Sequence, residues 1–286
     1  MKRRKFLHLL GGTAALTGLY TWQLEPCWLE FVHQELPVAH LPSALEGKRL
    51  LQISDLHVGE RVSSDYLRKS LRKAQAYAPD IVVYTGDFVS YESARRLEEL
   101  RSIMDQATRG RLATLAILGN HDYGEKWRES AVADEIVDLL TENDITTLRN
   151  AATDVAGLNV IGVDDLWGTN FAPQQALAHY APDRANLVLC HNPDVCDLDV
   201  WNGYRGWILS GHTHGGQCKP PFLPPPILPV QNDTYTSGAF DLGDGRHLYV
   251  NRALGFSRQV RFNVRPEITV FTLTKEAQLN QHFTTT

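Results

Sequence analysis

The sequence predicts an α/β fold in which strands alternate with helices. In the first half of the chain, short β-branched runs that suit buried strands alternate with amphipathic stretches of helical spacing, a pattern typical of parallel βαβ units. The second half has more strand-like runs, and no internal repeat divides the sequence. The chain has 286 residues, 43% of them hydrophobic and 21% charged, which suits a globular domain with a buried core.

In the first half of the chain, the sequence predicts strands and helices in strict alternation. Ser63 or Ser64 can cap the first helix, and Pro79-Asp80 ends it. The predicted elements are a strand at 50–54, a helix carrying Leu67, Leu71 and Ala74, a strand at 81–85, a helix carrying Leu97, Leu100 and Met104, a strand at 112–118, a helix carrying Val132, Ile136, Leu139 and Leu140, and a short strand at 146–149.

The second half is richer in strands, which we predict at 159–163, 186–189, 207–209, 248–250 and 268–273. Residues 219–229 contain six prolines, so this segment cannot pair as a central strand and is predicted to be a rigid, exposed loop. Its apolar side chains suit contact with a lipid or packing on the domain equally well. They are Phe222, Leu223, Ile227 and Leu228.

Residues 1–24 are predicted to be an export signal or an N-terminal anchor. Basic residues at positions 2–5 precede an uncharged segment at 6–23, which is typical of an export signal. Arg3-Arg4 followed by Lys5-Phe6-Leu7 resembles the twin-arginine motif, which implies export by the twin-arginine machinery. Because no clean cleavage site follows, the segment is either removed or kept as an anchor. We expect the periplasm or the cell envelope, with membrane association through residues 1–24.

The rest of the chain is predicted to form a connector at 25–46, a single domain at 47–275 and a C-terminal tail at 276–286. A net charge of −5 does not suggest the basic face of a nucleic-acid-binding protein, so no nucleic acid is expected as a partner. The four cysteines form no Cys-x-x-Cys pair, which argues against a thiolate zinc site. Cys190 and Cys196 either bridge or remain buried thiols.

Five polar motifs each follow a predicted strand. Because sites in open α/β sheets form outside the carboxyl ends of the strands, these motifs should converge on one rim. Their mixture of carboxylate, amide and imidazole suits Mn, Fe, Zn, Ni or Co better than Ca or Mg. Two such ions about 3.5–4 Å apart activate a water and bind phosphoryl oxygens, so the motifs indicate a two-metal phosphoesterase. They are Asp55-Leu56-His57, Gly86-Asp87, Gly119-Asn120-His121-Asp122, Cys190-His191-Asn192 and Gly211-His212-Thr213-His214.

These motifs resemble those of the calcineurin-like metallophosphoesterase superfamily, from about residue 50 to about residue 273. The run Gly211-His212-Thr213-His214-Gly215-Gly216-Gln217 and the ending Arg265-Pro266-Glu267-Ile268 are similar to the bacterial YkuE/YaeI-type phosphodiesterases. The resemblance implies a four-layer αββα sandwich with a single catalytic domain. It also implies two divalent ions per chain, the first held by Asp55, His57 and His214, the second by Asn120, His191 and His212, with Asp87 bridging them. By the same resemblance, His121 is no ligand and instead protonates the leaving oxygen.

The expected function is a dinuclear-metal phosphoesterase, and specifically a phosphodiesterase. A metal-bridging hydroxide would attack a phosphodiester or pyrophosphate-type bond in a small-molecule or lipid-linked substrate. One alternative is a UDP-2,3-diacylglucosamine-type lipid pyrophosphatase, since related enzymes of the superfamily cleave that lipid. Another is a non-catalytic metal-binding scaffold.

Four residues beside the motifs have open roles. Asp122 either orients His121 or serves as a turn carboxylate. Asn192 either shapes the rim or belongs to a turn around the following proline. Gly215 and Gly216 are expected to let the backbone approach the metal site.

Overall fold

The computed structural model describes residues 3–90 and 93–276, and within them two six-stranded sheets pack face to face. The predicted tail beyond residue 276 and the first two residues of the predicted leader lie outside the described residues. The helices are α1 Arg3–Leu19, α2 Ser64–Gln75, α3 Arg95–Met104, α4 Ser130–Glu142 and α5 Pro173–Leu177. The strands are β1 Glu30–Val38, β2 Arg49–Ile53, β3 Ile81–Thr85, β4 Ala113–Ile117, β5 Thr146–Thr147, β6 Ala151–Val155, β7 Leu158–Val163, β8 Ala185–Cys190, β9 Gly206–Ser210, β10 Gly238–Asp241, β11 Arg246–Val250 and β12 Glu267–Lys275.

Parallel pairing dominates the centre of both sheets. The first sheet has the order β1-β12-β2-β3-β4-β5, and β2, β3, β4 and β5 run parallel to one another. The second sheet has the order β10-β11-β9-β8-β7-β6, and β11, β9, β8 and β7 run parallel. The carboxyl ends of these parallel strands form the rim from which the polar motifs project.

The two sheets share one apolar layer and are each covered on the outside. Successive residues of a strand face opposite sides of a sheet, so Leu50 packs between the sheets whereas Leu51 packs against α2, α3 and α4. The outer side of the second sheet is covered by α5 and by residues 193–205, including Trp201 and Tyr204. The layers are therefore helices, sheet, sheet, and a thin layer of helix and loop, which confirms the predicted single-domain sandwich of mixed α/β class.

The segment predicted to be a connector, 25–46, contains a strand of the first sheet, so that interpretation was wrong there. Strand β1 pairs in parallel with β12, in the register Glu30 to Glu267. It escaped prediction because it is an edge strand, in which Leu36 and Val38 are buried while Gln34 is exposed. An edge strand also tolerates Pro37, since a proline nitrogen facing away from the sheet interrupts no ladder.

The predicted leader begins with α1, whose residues 11–19 are exposed. Within the described residues, the model contains no helix with the length and apolarity needed to cross a membrane. The leader contacts the domain where α1 ends: the Arg261 N–H donates to the Thr21 carbonyl at 2.9 Å, and the Val264 N–H donates to Glu25 Oε1 at 2.7 Å.

Candidate metal centre

The seven residues expected to bind metal lie together at the carboxyl rim of the sheets, and all seven are buried. Five of them adopt the left-handed backbone conformation, which costs a residue other than glycine about 1–3 kcal/mol and persists where the surrounding structure enforces it. Such strained positions cluster at functional sites. They are Asp55, His57, Asp87, His212 and His214, with φ of 54°, 48°, 55°, 70° and 52°.

A first cluster joins Asp55, His57, Asp87 and His214, whose donor atoms lie within 4.8 Å of one another. His214 Nε2 is 3.2 Å from Asp55 Oδ1, and His57 Nε2 is 3.5 Å from Asp87 Oδ2. The two imidazole nitrogens of His57 and His214 approach to 3.0 Å. Two atoms that bind one ion at about 2.0–2.2 Å lie roughly 3 Å apart, so this cluster has the spacing of a metal site.

A second cluster joins Asp87, His191 and His212. His191 Nε2 lies 3.3 Å from Asp87 Oδ2 and 3.2 Å from His212 Nδ1. Asn120 is buried and lines the same pocket as Asp87 and His212. Its Oδ1 has no hydrogen-bond partner among the described residues. A buried amide oxygen without a partner is costly unless something binds it, and a divalent ion satisfies that requirement.

Asp87 belongs to both clusters, so the Asp and His residues are arranged for a dinuclear metal site with one shared carboxylate. Its side chain is also fixed by the His121 N–H, which donates to Asp87 Oδ1 at 2.9 Å. Gly119 makes this position accessible, because a Cβ at residue 119 would lie 2.3 Å from Asp87 Oδ1.

The second ring nitrogen of three histidines is held by the protein. His57 Nδ1 is 2.9 Å from Ser90 Oγ, His191 Nδ1 is 2.7 Å from the Thr85 carbonyl, and His212 Nε2 is 2.8 Å from the Pro229 carbonyl. Donation to a carbonyl fixes the tautomer and leaves the opposite nitrogen with a free lone pair facing the cluster.

Burial and neighbouring charges set the protonation of the site. Burial lowers the pKa of His57 and that of His212 to about 3, so both imidazoles are neutral at physiological pH. Burial alone would lower the pKa of His191 too, but the Asp87 carboxylate beside it raises that pKa well above its usual value. Burial alone would raise the pKa of Asp87, yet His191 and His121 hold it well below the usual range.

His121 lies at the edge of the site and is partly exposed. Its ring centroid is 4.9 Å from that of His57 and 6.0 Å from that of Trp127. Asp122 does not contact the His121 ring. Its carboxylate instead accepts hydrogen bonds from the backbone N–H groups of Phe88, Val89 and Gly119, and so ties together the loops that carry Asp87 and Asn120.

The three other open residues also have structural roles. Asn192 Oδ1 accepts from the Asp194 N–H at 2.9 Å and begins a short 3₁₀ turn, as the proline turn predicted. Gly216 lines the same pocket as the candidate ligands His212 and His214, whereas Gly215 is not among its described lining residues. A Cβ at Gly216 would lie 2.3 Å from Pro225 Cβ, and one at Gly215 would lie 2.8 Å from Val264, so both glycines admit neighbouring loops.

Five of the seven candidate ligands line a pocket of about 410 Å³ whose walls are largely apolar. Trp127 and Trp167 stack with ring centroids 4.9 Å apart, and Trp167 meets the edge of His212 at 4.6 Å. Arg258 is the only Lys or Arg among the described residues that line this pocket. The remaining apolar wall comes from the proline-rich segment and a neighbouring loop, through Pro226, Ile227, Pro229 and Val260.

Sequence reasoning missed Trp127, Trp167 and Arg258 as pocket residues. Trp167 had a usable signal, because it closely follows β7 at the same rim, where Asp165 Oδ2 accepts its N–H at 2.7 Å. Arg258 and Trp127 lie in loops without a motif, and their proximity follows only from the fold. Cys190 and Cys196 are both buried and unbonded, in agreement with the reading of buried thiols.

Comparison with known proteins gives one family. The sequence-family model of the calcineurin-like phosphoesterases matches residues 48–216. This range contains all seven candidate ligands and His121. The chain is 30% identical to the uncharacterized metallophosphoesterase YkuE of Bacillus subtilis, over 96% of this chain and 98% of that protein. It is 28% identical to the phosphodiesterase YaeI of Escherichia coli, over 96% and 99%. It is 25% identical to the UDP-2,3-diacylglucosamine pyrophosphatase LpxG of Chlamydia muridarum, over 91% and 97%.

Proposed function

This chain belongs to the calcineurin-like phosphoesterase family, metal-dependent hydrolases of phosphoric ester bonds, and we propose that it hydrolyses phosphodiesters at the site built around Asp87. The observation that carries the proposal is the pair of buried donor clusters that share this carboxylate beneath an apolar pocket. A two-metal site with one shared carboxylate suits in-line displacement at phosphorus, because each ion stabilises one of the two exchanging oxygens.

The proposed ligands follow the two clusters. Asp55, His57 and His214 hold the first ion, and Asn120, His191 and His212 hold the second, with Asp87 common to both. The first three converge with Asp87 in one cluster, and the unpartnered Asn120 Oδ1 completes the nitrogen-rich second cluster. Two carboxylates and five neutral ligands leave two divalent ions with a net positive charge, which attracts a phosphate ester.

Two divalent ions held by these residues would neutralise phosphoryl oxygens and activate a water. The residues of the chain supply the rest of the mechanism. Asp87 is fixed by the backbone of His121, so the imidazole of His121 is placed beside the shared carboxylate. Because His121 is partly exposed, it can take a proton from solvent and donate it to the leaving oxygen as the ester bond breaks.

The pocket favours a substrate with one apolar or aromatic substituent. Trp127 and Trp167 form a flat wall on one side, and Ile227 and Val260 contribute to the walls. Arg258 supplies a cation beside this apolar surface, which suits a second anionic group such as the distal phosphate of a pyrophosphate. The phosphodiesterase name of the Escherichia coli relative agrees with this substrate class.

A second candidate is a UDP-2,3-diacylglucosamine-type lipid pyrophosphatase. Two relatives from Chlamydia carry that name, at 25% and 28% identity over 91% of this chain. The apolar walls and the single Arg258 suit an acylated pyrophosphate as well as a simple diester.

We also propose that residues 1–24 direct export by a twin-arginine route to the cell envelope. The adjacent Arg3 and Arg4 support this proposal. Replacing both by lysine should retain the protein in the cytoplasm, as measured by fractionation. Replacing Lys2 and Lys5 by arginine keeps the charge and is the matched control. Equal export of both variants would exclude the twin-arginine route.

The catalytic proposal is tested with metal-stripped full-length protein and bis-p-nitrophenyl phosphate. We expect turnover only after addition of Mn, Ni, Zn, Co or Fe, a preference over p-nitrophenyl phosphate, and two bound ions per chain. Asp87→Asn should remove activity and one or both ions. Asp138→Asn, at an exposed position of α4, is the matched control and should change neither.

Three results would contradict the proposal. Retention of both ions and full turnover by Asp87→Asn would refute the bridging role. Cleavage of UDP-2,3-diacylglucosamine without cleavage of the simple diester would favour the second candidate. Two bound ions with no turnover of either substrate would favour a metal-binding scaffold.

A further inference from the structure

The large apolar side chains that remain exposed are concentrated in two segments of the described chain. Five lie in residues 16–28 and three lie in residues 222–227, whereas Leu112 and Leu198 are the only others in the described residues. Phe222 is fully exposed at 105%, and Leu223 and Ile227 are 60% and 64% exposed. Contiguous exposed apolar surface of this kind marks an interaction site rather than ordinary scatter.

The first segment and the start of the proline-rich loop that carries the second contact the same loop, residues 258–264. On one side, Arg261 donates its N–H to Thr21, and Gln259 Nε2 lies 3.4 Å from the Trp22 carbonyl. On the other side, the Lys219 N–H donates to the Phe262 carbonyl at 2.8 Å. Because Arg258 and Val260 of this loop line the catalytic pocket, the apolar surface adjoins the pocket mouth.

The charge of this region is opposite to that of the whole chain. Residues 16–28, 214–232 and 254–266 contain four Lys or Arg and one acidic residue, the buried Glu25, although the chain carries a net charge of −5. Lys219 and Arg258 are exposed there, and Arg265 stacks 3.8 Å above the Trp28 ring. Tryptophan together with cations around an apolar tip is typical of segments that enter a membrane interface.

We propose that this surface, defined by Phe222, Leu223, Ile227, Trp22 and Lys219, docks on an anionic lipid bilayer and presents the pocket mouth to it. The rigid proline-rich loop inserts its apolar tip below the head groups, and the cations contact lipid phosphates. A second copy of the chain is a poorer occupant, because it would bring two positively charged faces together. The inference deepens the proposed function by placing the ester to be cleaved at a lipid surface.

The test is co-sedimentation of the full chain with vesicles of phosphatidylglycerol and phosphatidylcholine, compared with phosphatidylcholine alone. We expect preferential binding to the anionic vesicles, weakened by salt. Replacing Phe222 and Leu223 by serine should lower the partition coefficient by at least about tenfold. The matched control replaces Leu112 and Leu198 by serine, because these residues are exposed elsewhere, and should bind like the parent protein.

Charge is tested separately with Lys219→Gln, which should weaken binding several-fold and reduce its salt dependence. Lys69→Gln, on an exposed position of α2, is its control and should leave binding unchanged. Turnover of bis-p-nitrophenyl phosphate in solution should be equal in the parent and in the Phe222/Leu223 variant. That assay reports failure of the catalytic proposal independently of lipid binding.

Four outcomes would overturn the docking proposal. The first is equal binding to both vesicle types, and the second is unchanged binding of the Phe222/Leu223 variant. The third is an equal loss in the Leu112/Leu198 control, and the fourth is a loss confined to a Trp22→Ser variant, which would assign attachment to the leader alone.

Discussion

Ser90 offers a direct test of how the metal centre is organised. Its hydroxyl lies 2.9 Å from His57 Nδ1, whereas His57 Nε2 faces Asp87 and His214. Replacement by alanine removes this single contact and leaves the backbone in place, since the residue 90 N–H still donates to the Val58 carbonyl. The variant therefore changes the orientation of one proposed ligand and of no other residue of the pocket.

The size of the effect follows from the burial of His57, which is 1% exposed. Leaving its Nδ1 group without a partner costs about 1–3 kcal/mol. Since about 1.4 kcal/mol corresponds to a factor of ten, affinity at the first metal site should fall by about 10–100-fold, the usual range for loss of a group that orients a ligand. Affinity at the site proposed for Asn120, His191 and His212 should change much less.

The assay is calorimetric titration of the metal-stripped chain with Mn²⁺, in which the two binding steps are fitted separately. Ser90→Thr keeps a hydroxyl and should restore most of the affinity. Ser102→Ala is the matched control, because Ser102 is exposed on α3 and its Oγ contacts only Arg68 among the described side chains. Unchanged affinities in Ser90→Ala would refute the role of Ser90 in orienting His57, and equal losses at both sites would refute the assignment of His57 to one ion.

Three further predictions concern His121, His191 and Arg258. His121→Ala should lower kcat for diesters by about 10²–10⁴-fold and leave the metal content unchanged. The loss should be larger for poor leaving groups than for p-nitrophenolate, and an equal loss for all leaving groups would refute the acid role. Metal binding near pH 7 should release about one proton, because His191 has a raised pKa and must become neutral to bind. The release should fall as pH rises above that pKa, since His57 and His212 are already neutral. Calorimetry in buffers of different ionisation enthalpy measures this release, and a constant release over the same pH range would contradict the prediction. Arg258→Gln should raise KM for a pyrophosphate-type substrate more than for a simple diester, and equal KM changes would exclude contact with a second phosphate.

Strands in the centre of a sheet could be predicted from the sequence, whereas most strands at the sheet edges could not. Strands β2, β3 and β8 are buried on both faces over nearly their whole length and appear in the sequence as mainly apolar runs. Three of the four edge strands, β1, β6 and β10, were missed, and β5 is shorter than predicted. An edge strand exposes one side to water, so its sequence keeps polar residues and even proline, and only the partner strand reveals it.

The candidate site could likewise be predicted only in part. Its candidate ligands follow central parallel strands, and the topology that aligns those strands also brings the ligands together. Trp127 and Arg258 come from loops whose position depends on packing that no local pattern encodes. The turn role offered for Asp122 is confirmed by the bond from the Gly119 N–H, whereas its bonds from the Phe88 and Val89 N–H groups depend on the fold and could not be predicted.

The proline-rich loop connects the metal centre to the proposed lipid surface. One end is fixed by the Pro229 carbonyl, which accepts from His212, and by Asp194, which accepts the N–H groups of Gln231 and Asn232. Near its other end the loop pairs with residue 262, as Lys219 donates to that carbonyl. Because the loop is held at both ends, docking of its tip should change the orientation of His212. Anionic vesicles should therefore change turnover of a soluble diester in the parent protein but not in the Phe222/Leu223 variant, and identical turnover with and without vesicles would show that docking and the metal centre are uncoupled.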